Sequence, residues 1–210
     1  MAVSKQDVLR WLDALQEVFS KNEQRLTDLD SAIGDGDFGA SLNRGFTAVK
    51  AHLAANPPAD LRGVFQSVSS VLIKTMGGSS GPLLGTFFLR AGSTCADKTE
   101  LGAADVVALF QAGVEGLQQR GKAELGDKTM MDAWIPAVEA MRTALEAGDG
   151  LEPILDKGAA AAEAGMLKTI SMQARKGRGS YLGERSVGHQ DAGATATSML
   201  FKTTADVWRS

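Results

Sequence analysis

Apolar residues recur at helical spacing along almost the whole of this chain, which has 210 residues. No segment shows the period-two alternation, bounded by turns, that marks a half-buried strand. Glycine, proline and polar stretches divide the helical pattern into about eight segments, so the sequence predicts an all-α fold with no sheet. We expect the helices to lie between residues 4 and 30, 39 and 56, 60 and 77, 83 and 89, 106 and 121, 132 and 148, 153 and 177, and 191 and 208.

The length and the charge of the chain limit its class. A chain of this length can bury a full core without a metal or a disulfide, so we expect one domain spanning residues 1–210. A net charge of −3 argues against a nucleic-acid partner, and no apolar run is long enough to cross a membrane. Cys95 is the single cysteine, which excludes an intramolecular disulfide, and the first residues lack the apolar core of a signal peptide. These features predict a soluble cytoplasmic protein.

Residues 30–39 contain three aspartates and three glycines between two helical patterns. Like charges repel by about 4 kcal/mol per pair at the effective dielectric of a protein surface, so the crowded carboxylates of Asp30, Asp35 and Asp37 need a cation. Hard oxygen ligands of this kind suit Mg²⁺ or Ca²⁺. An EF-hand calcium loop is excluded because its twelfth position, counted from Asp35, is Phe46 rather than glutamate. A turn without a ligand is the alternative.

The unusual residues fall in loops that an up-and-down helical fold brings to one end, namely those after the first, third, fifth and seventh helices. These loops are the aspartate segment and residues 77–82, 121–131 and 178–191. The glycine-rich loop 77–82 precedes a helix, where backbone N–H groups can hold a diphosphate, although an ordinary turn is the alternative. Lys122, Lys128 and Arg178 lie in the same loops and could face phosphate or simply be solvated. We therefore predict one composite site at one end.

Four motifs, in this order, resemble the L subunit, or L domain, of dihydroxyacetone kinase. They are the aspartate segment and residues 77–82, 126–132 and 174–186, and the resemblance covers the whole chain. The resemblance implies a barrel of eight up-and-down helices with a nucleotide at one end. Kinases that use ATP directly carry this domain in a much longer chain. This chain is therefore similar to the separate L subunit of the phosphotransferase-system form, which depends on phosphoenolpyruvate.

The same resemblance implies a phosphoryl relay. ADP stays bound as a cofactor, the phosphohistidine of an M subunit phosphorylates it in place, and the ATP formed phosphorylates dihydroxyacetone held on a K subunit. Asp30, Asp35 and Asp37 would hold two Mg²⁺ ions, Arg178 would support the transfer, and no catalytic residue is assigned in this chain. The implied contacts with the nucleotide are Phe38, Gly39, Ala40, Ser41, Ser79, Ser80, Gly121, Thr129, Met130, Arg178, Asp191, Ala192 and Gly193.

Alternatives stay open for single residues and for the function. Phe38 and Ala192 depart from the family's pattern, in which the first position is often polar and the second is often proline. His189 is a candidate for a phosphorylated relay, although a structural role in its loop is preferred. The chain could instead serve another acceptor-binding protein, such as a fatty-acid-binding one, or sense a nucleotide while docked on a transcriptional regulator. A homodimer is compatible with each of these functions.

Overall fold

The computed structural model describes residues 2–209 and places nine α-helices in that part of the chain. The helices are α1 (Lys5–Lys21), α2 (Glu23–Ile33), α3 (Phe38–Ala55), α4 (Leu61–Thr75), α5 (Ser80–Ser93), α6 (Ala103–Gly121), α7 (Met131–Glu146), α8 (Leu151–Lys168) and α9 (Ala192–Trp208). Two short antiparallel strands, β1 (Val3–Ser4) and β2 (Glu100–Leu101), pair with each other, and 3₁₀ turns cover Thr169–Ser171 and Arg178–Ser186. The all-α class predicted from the periodicity is confirmed.

The helices enclose one large apolar core, beside which Ala133, Met166 and Ala194 form a small second cluster. Each helix packs against the next one along the chain, and α9 also packs against α1. Aromatic rings fill the centre, with ring centroids 5.0 Å apart for Trp11 and Trp208 and 5.0 Å apart for Trp134 and Phe201. Such pairs contribute about 0.5–1.5 kcal/mol beyond the burial of their area. The barrel implied by the resemblance stays a prediction. Among residues 2–209, no helix has the length and apolar character needed to span a bilayer.

Three helices begin at side-chain caps that the sequence indicates. Ser4 and Asp7 form a reciprocal capping box at the start of α1, in which the Ser4 N–H group donates to Asp7 Oδ2 over 2.8 Å. The carboxylates of Asp60 and Asp191 each accept a hydrogen bond of 2.7 Å from the first turn of α4 and α9, respectively. Each such cap typically contributes about 1 kcal/mol. These local interactions explain why the starts of the three helices could be predicted.

The first predicted helix is in fact two helices that meet at Asn22. The backbone N–H group and the side-chain amide of Asn22 both donate to the carbonyl of Val18, over 3.1 and 2.8 Å. An asparagine side chain that bonds to the backbone in this way favours a helix end. The apolar pattern does not reveal the break, because Phe19 and Leu26 on either side of it are both buried in the core.

Other boundaries also differ from the prediction. The β1–β2 ladder shows that the expected absence of a sheet is wrong, since strands of two residues are too short to display an alternating pattern. Helix α5 continues to Ser93 instead of ending near residue 89. Helix α8 ends at Lys168 instead of near residue 177 and continues into a 3₁₀ turn, in which the carbonyl of Thr169 accepts hydrogen bonds from the Met172 N–H group and from the Lys128 side chain. Residues 178–186, predicted as irregular, form 3₁₀ turns.

Candidate functional site

One cavity of about 340 Å³ is bordered by all four loops that the up-and-down arrangement is expected to bring together. The predicted residues that line it are Asp30, Asp35, Asp37, Phe38, Ser41, Ser79, Ser80, Gly121, Thr129, Met130, Arg178, Asp191, Ala192 and Gly193. Two predicted contacts, Gly39 and Ala40, do not line the cavity. Gly39 faces α2, where an added Cβ atom would lie 2.2 Å from the carbonyl oxygen of Glu23. Gly39 therefore serves helix packing.

Sequence reasoning missed several residues of the cavity wall. Leu83, Leu117 and Ala123 line it, but helical periodicity marks such residues only as part of the core. Lys176 also lines the cavity and lies in one of the motifs that carry the resemblance. Nothing in the sequence distinguishes this lysine from a solvated one, because its place depends on how the 174–179 segment folds over the helix ends.

The three aspartates converge where α2 leads into α3. One carboxylate oxygen from each of Asp30, Asp35 and Asp37 lies within 4.8 Å of the other two. Asp30, in the last turn of α2, accepts hydrogen bonds of 3.0 and 3.2 Å from two backbone N–H groups at the start of α3, which folds the loop back onto its own helix. Gly36 has a φ of +73°, and a Cβ atom at Gly34 would lie 2.2 Å from Asp30 Oδ1. Both positions therefore require glycine.

The charge of this cluster is only partly balanced within the chain. Partial burial, followed by the neighbouring charges of Asp35 and Asp30, raises the pKa of Asp37, while Arg178 acts in the opposite direction. Arg178 Nη2 lies 2.8 Å from Asp35 Oδ2. One guanidinium beside three carboxylates leaves excess negative charge on a set of hard oxygen donors. These residues therefore fit a divalent cation such as Mg²⁺.

Four helix N-termini also meet at the cavity, because α3, α5, α7 and α9 all begin there. The first N–H groups of a helix lack partners within it, and the helix dipole places roughly half a positive charge at that end. Aspartate carboxylates accept hydrogen bonds at the starts of α3 and α9, and the Thr129 hydroxyl accepts one from Met131 in α7. Ser79, at the start of α5, makes no such cap. The start of α5 is therefore the most open site for an anion such as phosphate.

Lys128 is neither solvated nor free to bind phosphate, which are the two alternatives that the sequence leaves open for it. Its side chain is buried, and its ammonium group donates to the backbone carbonyls of Thr169, Met172 and His189 over 2.6, 3.0 and 2.5 Å. Three donors are thus matched by three acceptors. Burial lowers the pKa of Lys128, and the charge of Asp191 opposes this shift. Lys122, the other lysine predicted at this end, is exposed and does not line the cavity.

Asp191 is the most strongly perturbed acid of the cavity wall. Burial raises its pKa to about 7, the hydrogen bond from the Ala194 N–H group opposes that rise, and the charge of Asp132 adds to it. Lys128 lowers the pKa and Asp30 raises it by smaller amounts. Because the pKa lies near neutrality, this carboxyl group changes its charge in the physiological pH range.

The remaining wall of the cavity is apolar and close-packed. A Cβ atom at Gly193 would lie 3.3 Å from Met130 Cβ, and one at Gly121 would lie 3.0 Å from Leu83 Cδ2. The two glycines thus pack against a thioether and a leucine and form an apolar wall, which suits a flat group such as a nucleobase lying against it. His189 does not line this cavity but borders a separate cleft with Arg25, and its carbonyl bonds to Lys128. The preferred structural role of His189 agrees with these contacts.

Comparison with known proteins shows the family. The model of the DAK2 domain matches residues 32–206, a range that includes every segment of the cavity wall except Asp30. The chain belongs to the DAK2 domain family. A family member from Escherichia coli K12, named PEP-dependent dihydroxyacetone kinase, ADP-binding subunit DhaL, is 41% identical over 205 residues, which cover 98% of both chains. A member from Lactococcus lactis, the ADP-binding subunit DhaL of a PTS-dependent dihydroxyacetone kinase, is 37% identical over 199 residues and 95% of both chains.

A solved structure shares the fold of this DAK2 chain. It is the dihydroxyacetone kinase of C. freundii in complex with AMP-PNP and Mg²⁺, with a TM-score of 0.76 and 27% sequence identity. The match covers 98% of this chain but 34% of that kinase, so the chain spans about a third of the larger protein. The resemblance found from the four motifs is confirmed by these family relationships.

Proposed function

We propose that this DAK2 chain is the ADP-binding subunit of a phosphoenolpyruvate-dependent dihydroxyacetone kinase. The main support is the cavity itself, in which three converging carboxylates lie beside the uncapped start of α5. The carboxylates would bind a metal ion and the free N–H groups of the helix start would bind phosphate oxygens, so that together they suit a metal-bound diphosphate. Relatives that match over nearly their full length carry this function in their names. We assign residues 1–210 to one nucleotide-binding domain.

Asp30, Asp35 and Asp37 are proposed to hold two Mg²⁺ ions. When bound, Mg²⁺ would neutralise the charge on the phosphates and align the transferring group. The convergence of three carboxylate oxygens within 4.8 Å supports a metal site at these residues. The related C. freundii kinase, which was crystallised with Mg²⁺ and AMP-PNP together, supports it as well.

The chain's own residues would bind and orient the nucleotide. The backbone and hydroxyl groups of Ser79 and Ser80, together with the start of α3 at Phe38 and Ser41, would contact phosphate oxygens. Arg178, beside Asp35, would stabilise the charge that develops on the transferring group. Residues on the apolar side would hold the nucleoside, and these are Gly121, Thr129, Met130, Asp191, Ala192 and Gly193.

The chain would need partner subunits for both halves of the transfer. Neither of its two histidines lines the cavity, so the phosphoryl group would pass through the bound nucleotide and not through a phosphohistidine of this chain. The proposed donor is the phosphohistidine of an M subunit, and the proposed acceptor is dihydroxyacetone on a K subunit. We place the subunit in the cytoplasm, whose reducing conditions suit the free Cys95. We also propose that the chain can dock on a transcriptional regulator and can form a homodimer.

The first experiment is to purify the full chain with Mg²⁺, denature it, and identify and quantify the released nucleotide, with a parallel sample treated with a chelator. We expect nearly one ADP per chain and its loss from the treated sample. An empty site with only weak affinity for ADP and ATP would contradict a fixed cofactor. Reconstitution with K and M subunits and phosphoenolpyruvate then tests the transfer itself, which Asp30→Ala should abolish.

A further inference from the structure

Lys128 connects three segments that are far apart in the sequence. Its ammonium group donates to carbonyls of the 3₁₀ turn after α8, at Thr169 and Met172, and to the carbonyl of His189 before α9. The lysine itself sits in the loop before α7, with a φ of +60°. One side chain therefore ties the start of α7 to the segments that precede α9.

The loop before α7 and the start of α9 line the nucleoside side of the cavity, and the turn after α8 supports the start of α9. On the lysine's own loop, the Asp132 carboxylate accepts hydrogen bonds from Gly126 N and Thr129 N over 2.6 and 2.8 Å and fixes the approach to Met130. On the other side, the Thr169 hydroxyl accepts a hydrogen bond of 3.0 Å from Asp191 N. The ends of the two segments pack against each other, since a Cβ atom added at Gly193 would lie 3.3 Å from Met130 Cβ.

An apolar side chain would fill the position of Lys128 with a smaller desolvation penalty than a lysine does. Burying an ammonium group is unfavourable unless its hydrogen bonds are made, and removing it would take one hydrogen bond from each of three carbonyls. Of these, the Thr169 carbonyl would keep a hydrogen bond from the Met172 N–H group. Lys128 is 2% exposed and sits beside Asp191, whose charge acts on it. The metal-binding and phosphate-binding segments, 30–41 and 77–80, provide none of its acceptors. The hydrogen bonds of Lys128 therefore support only the nucleoside half of the cavity.

We propose, on the basis of the function proposed above, that Lys128 is a positioning residue for the nucleoside. By joining the loop before α7 to the turn after α8 and to His189, it holds Met130 packed against Gly193, and these two residues form the wall against which the base would lie. It contributes nothing to the binding of the metal or the phosphates.

Two ligands allow binding to the two halves of the cavity to be tested separately. ADP with Mg²⁺ would occupy both halves, and pyrophosphate with Mg²⁺ would occupy only the phosphate half. Calorimetric titration of the full chain with each ligand would compare wild type, Lys128→Met and Lys128→Gln. Lys122→Met is the matched control, since Lys122 is an exposed lysine of the same loop that does not line the cavity. Circular dichroism would establish that each variant is folded at the temperature of the titration.

We expect Lys128→Met to raise the Kd of ADP at least about tenfold, with a smaller rise for Lys128→Gln, while the Kd of pyrophosphate stays within about twofold. Lys122→Met should change neither value. An unchanged Kd of ADP, or equal losses for both ligands, would overturn the positioning role. A wild type that binds pyrophosphate but not ADP, or neither ligand, would instead overturn the proposed function, and the inference with it.

If neither Lys128 variant folds, hydrogen exchange measured on the wild type tests the positioning role instead. The amides of Gly188 and Asp191 donate within the tied segments, to the Ile170 carbonyl over 2.7 Å and to the Thr169 hydroxyl over 3.0 Å. ADP with Mg²⁺ is expected to slow their exchange, and pyrophosphate with Mg²⁺ is expected to leave it unchanged. Equal protection by the two ligands, or none by ADP, would overturn the role.

Discussion

Arg178 Nη2 lies 2.8 Å from Asp35 Oδ2, so an ion pair joins the 3₁₀ segment 178–186 to the aspartate loop. The two side chains are 64% and 34% exposed, and both line the cavity. Exposed ion pairs contribute about 0–1 kcal/mol to stability. This contact therefore matters more for the charge of the site than for the stability of the fold.

Arg178→Ala should separate these two effects. We expect the rate of phosphoryl transfer in the reconstituted kinase to fall by on the order of a hundredfold, because a positive charge near the transferring group is lost. The free energy of unfolding should change by less than about 1 kcal/mol. Arg185→Ala, an exposed arginine of the same 3₁₀ segment outside the cavity, is the control and should retain the wild-type rate. Equal loss of rate in both variants would argue against a specific role of Arg178.

Asp30→Asn tests the metal site with little change in shape. The substitution removes one negative charge from the cluster, so we expect the Kd of ADP in the presence of Mg²⁺ to rise at least about tenfold. The difference in ADP affinity between samples with Mg²⁺ and with chelator should shrink accordingly. Asp28→Asn changes an exposed aspartate of the same helix that accepts a hydrogen bond from Gln24, and it should behave as wild type. Full Mg²⁺ dependence in Asp30→Asn would contradict the assignment.

Asp191 should make stability depend on pH. Its pKa is raised to about 7 in the folded protein, against about 3.9 for an unfolded aspartate. Between these values the folded chain holds a proton that the unfolded chain has released, so the free energy of unfolding should fall as the pH rises from about 4 to about 7. Asp37, whose pKa is also raised, contributes with the same sign.

Asp191→Asn should remove this component, because asparagine can still cap α9 but does not titrate. Urea denaturation at several pH values, with chelator and without nucleotide, would measure the change in slope. Asp60→Asn reports what the same substitution does at the exposed cap of α4. If Asp191→Asn keeps the wild-type slope, then the carboxyl group of Asp191 is not the source of the pH dependence.

Gly39→Ala should reduce stability and not act through a nucleotide contact. Its new Cβ atom would lie 2.2 Å from the Glu23 carbonyl oxygen and force α2 away from α3, a strain of about 1–3 kcal/mol. Chemical denaturation without metal and nucleotide would measure it. Ala40→Ser adds one atom at the next residue, which does not line the cavity, and should change stability by no more than about 0.5 kcal/mol. Wild-type stability with weaker ADP binding in Gly39→Ala would restore the predicted contact.

Local sequence patterns predicted a large part of the fold. The caps at Ser4, Asp60 and Asp191 act within three residues of themselves, and the helical period follows from neighbours in one helix. Convergence of the four loops required one further step, the alternation of short connections in an up-and-down arrangement. The break at Asn22 was missed because the buried apolar face continues across it, at Phe19 and Leu26.

Carboxylates and glycines crowded into ten residues, and a glycine-rich turn before a helix, already pointed to a metal and phosphate site, because those groups are close in the chain. The contacts of Lys128 and Gly39 became visible only in the tertiary structure. The acceptors of Lys128 are 41, 44 and 61 residues away, and the atom that Gly39 approaches belongs to another helix. The charge and size of a side chain do not predict which backbone atoms, far away in the sequence, it contacts. Because α7, α8 and α9 pack together, the side chain of Lys128 is buried, whereas Lys122 is exposed to solvent.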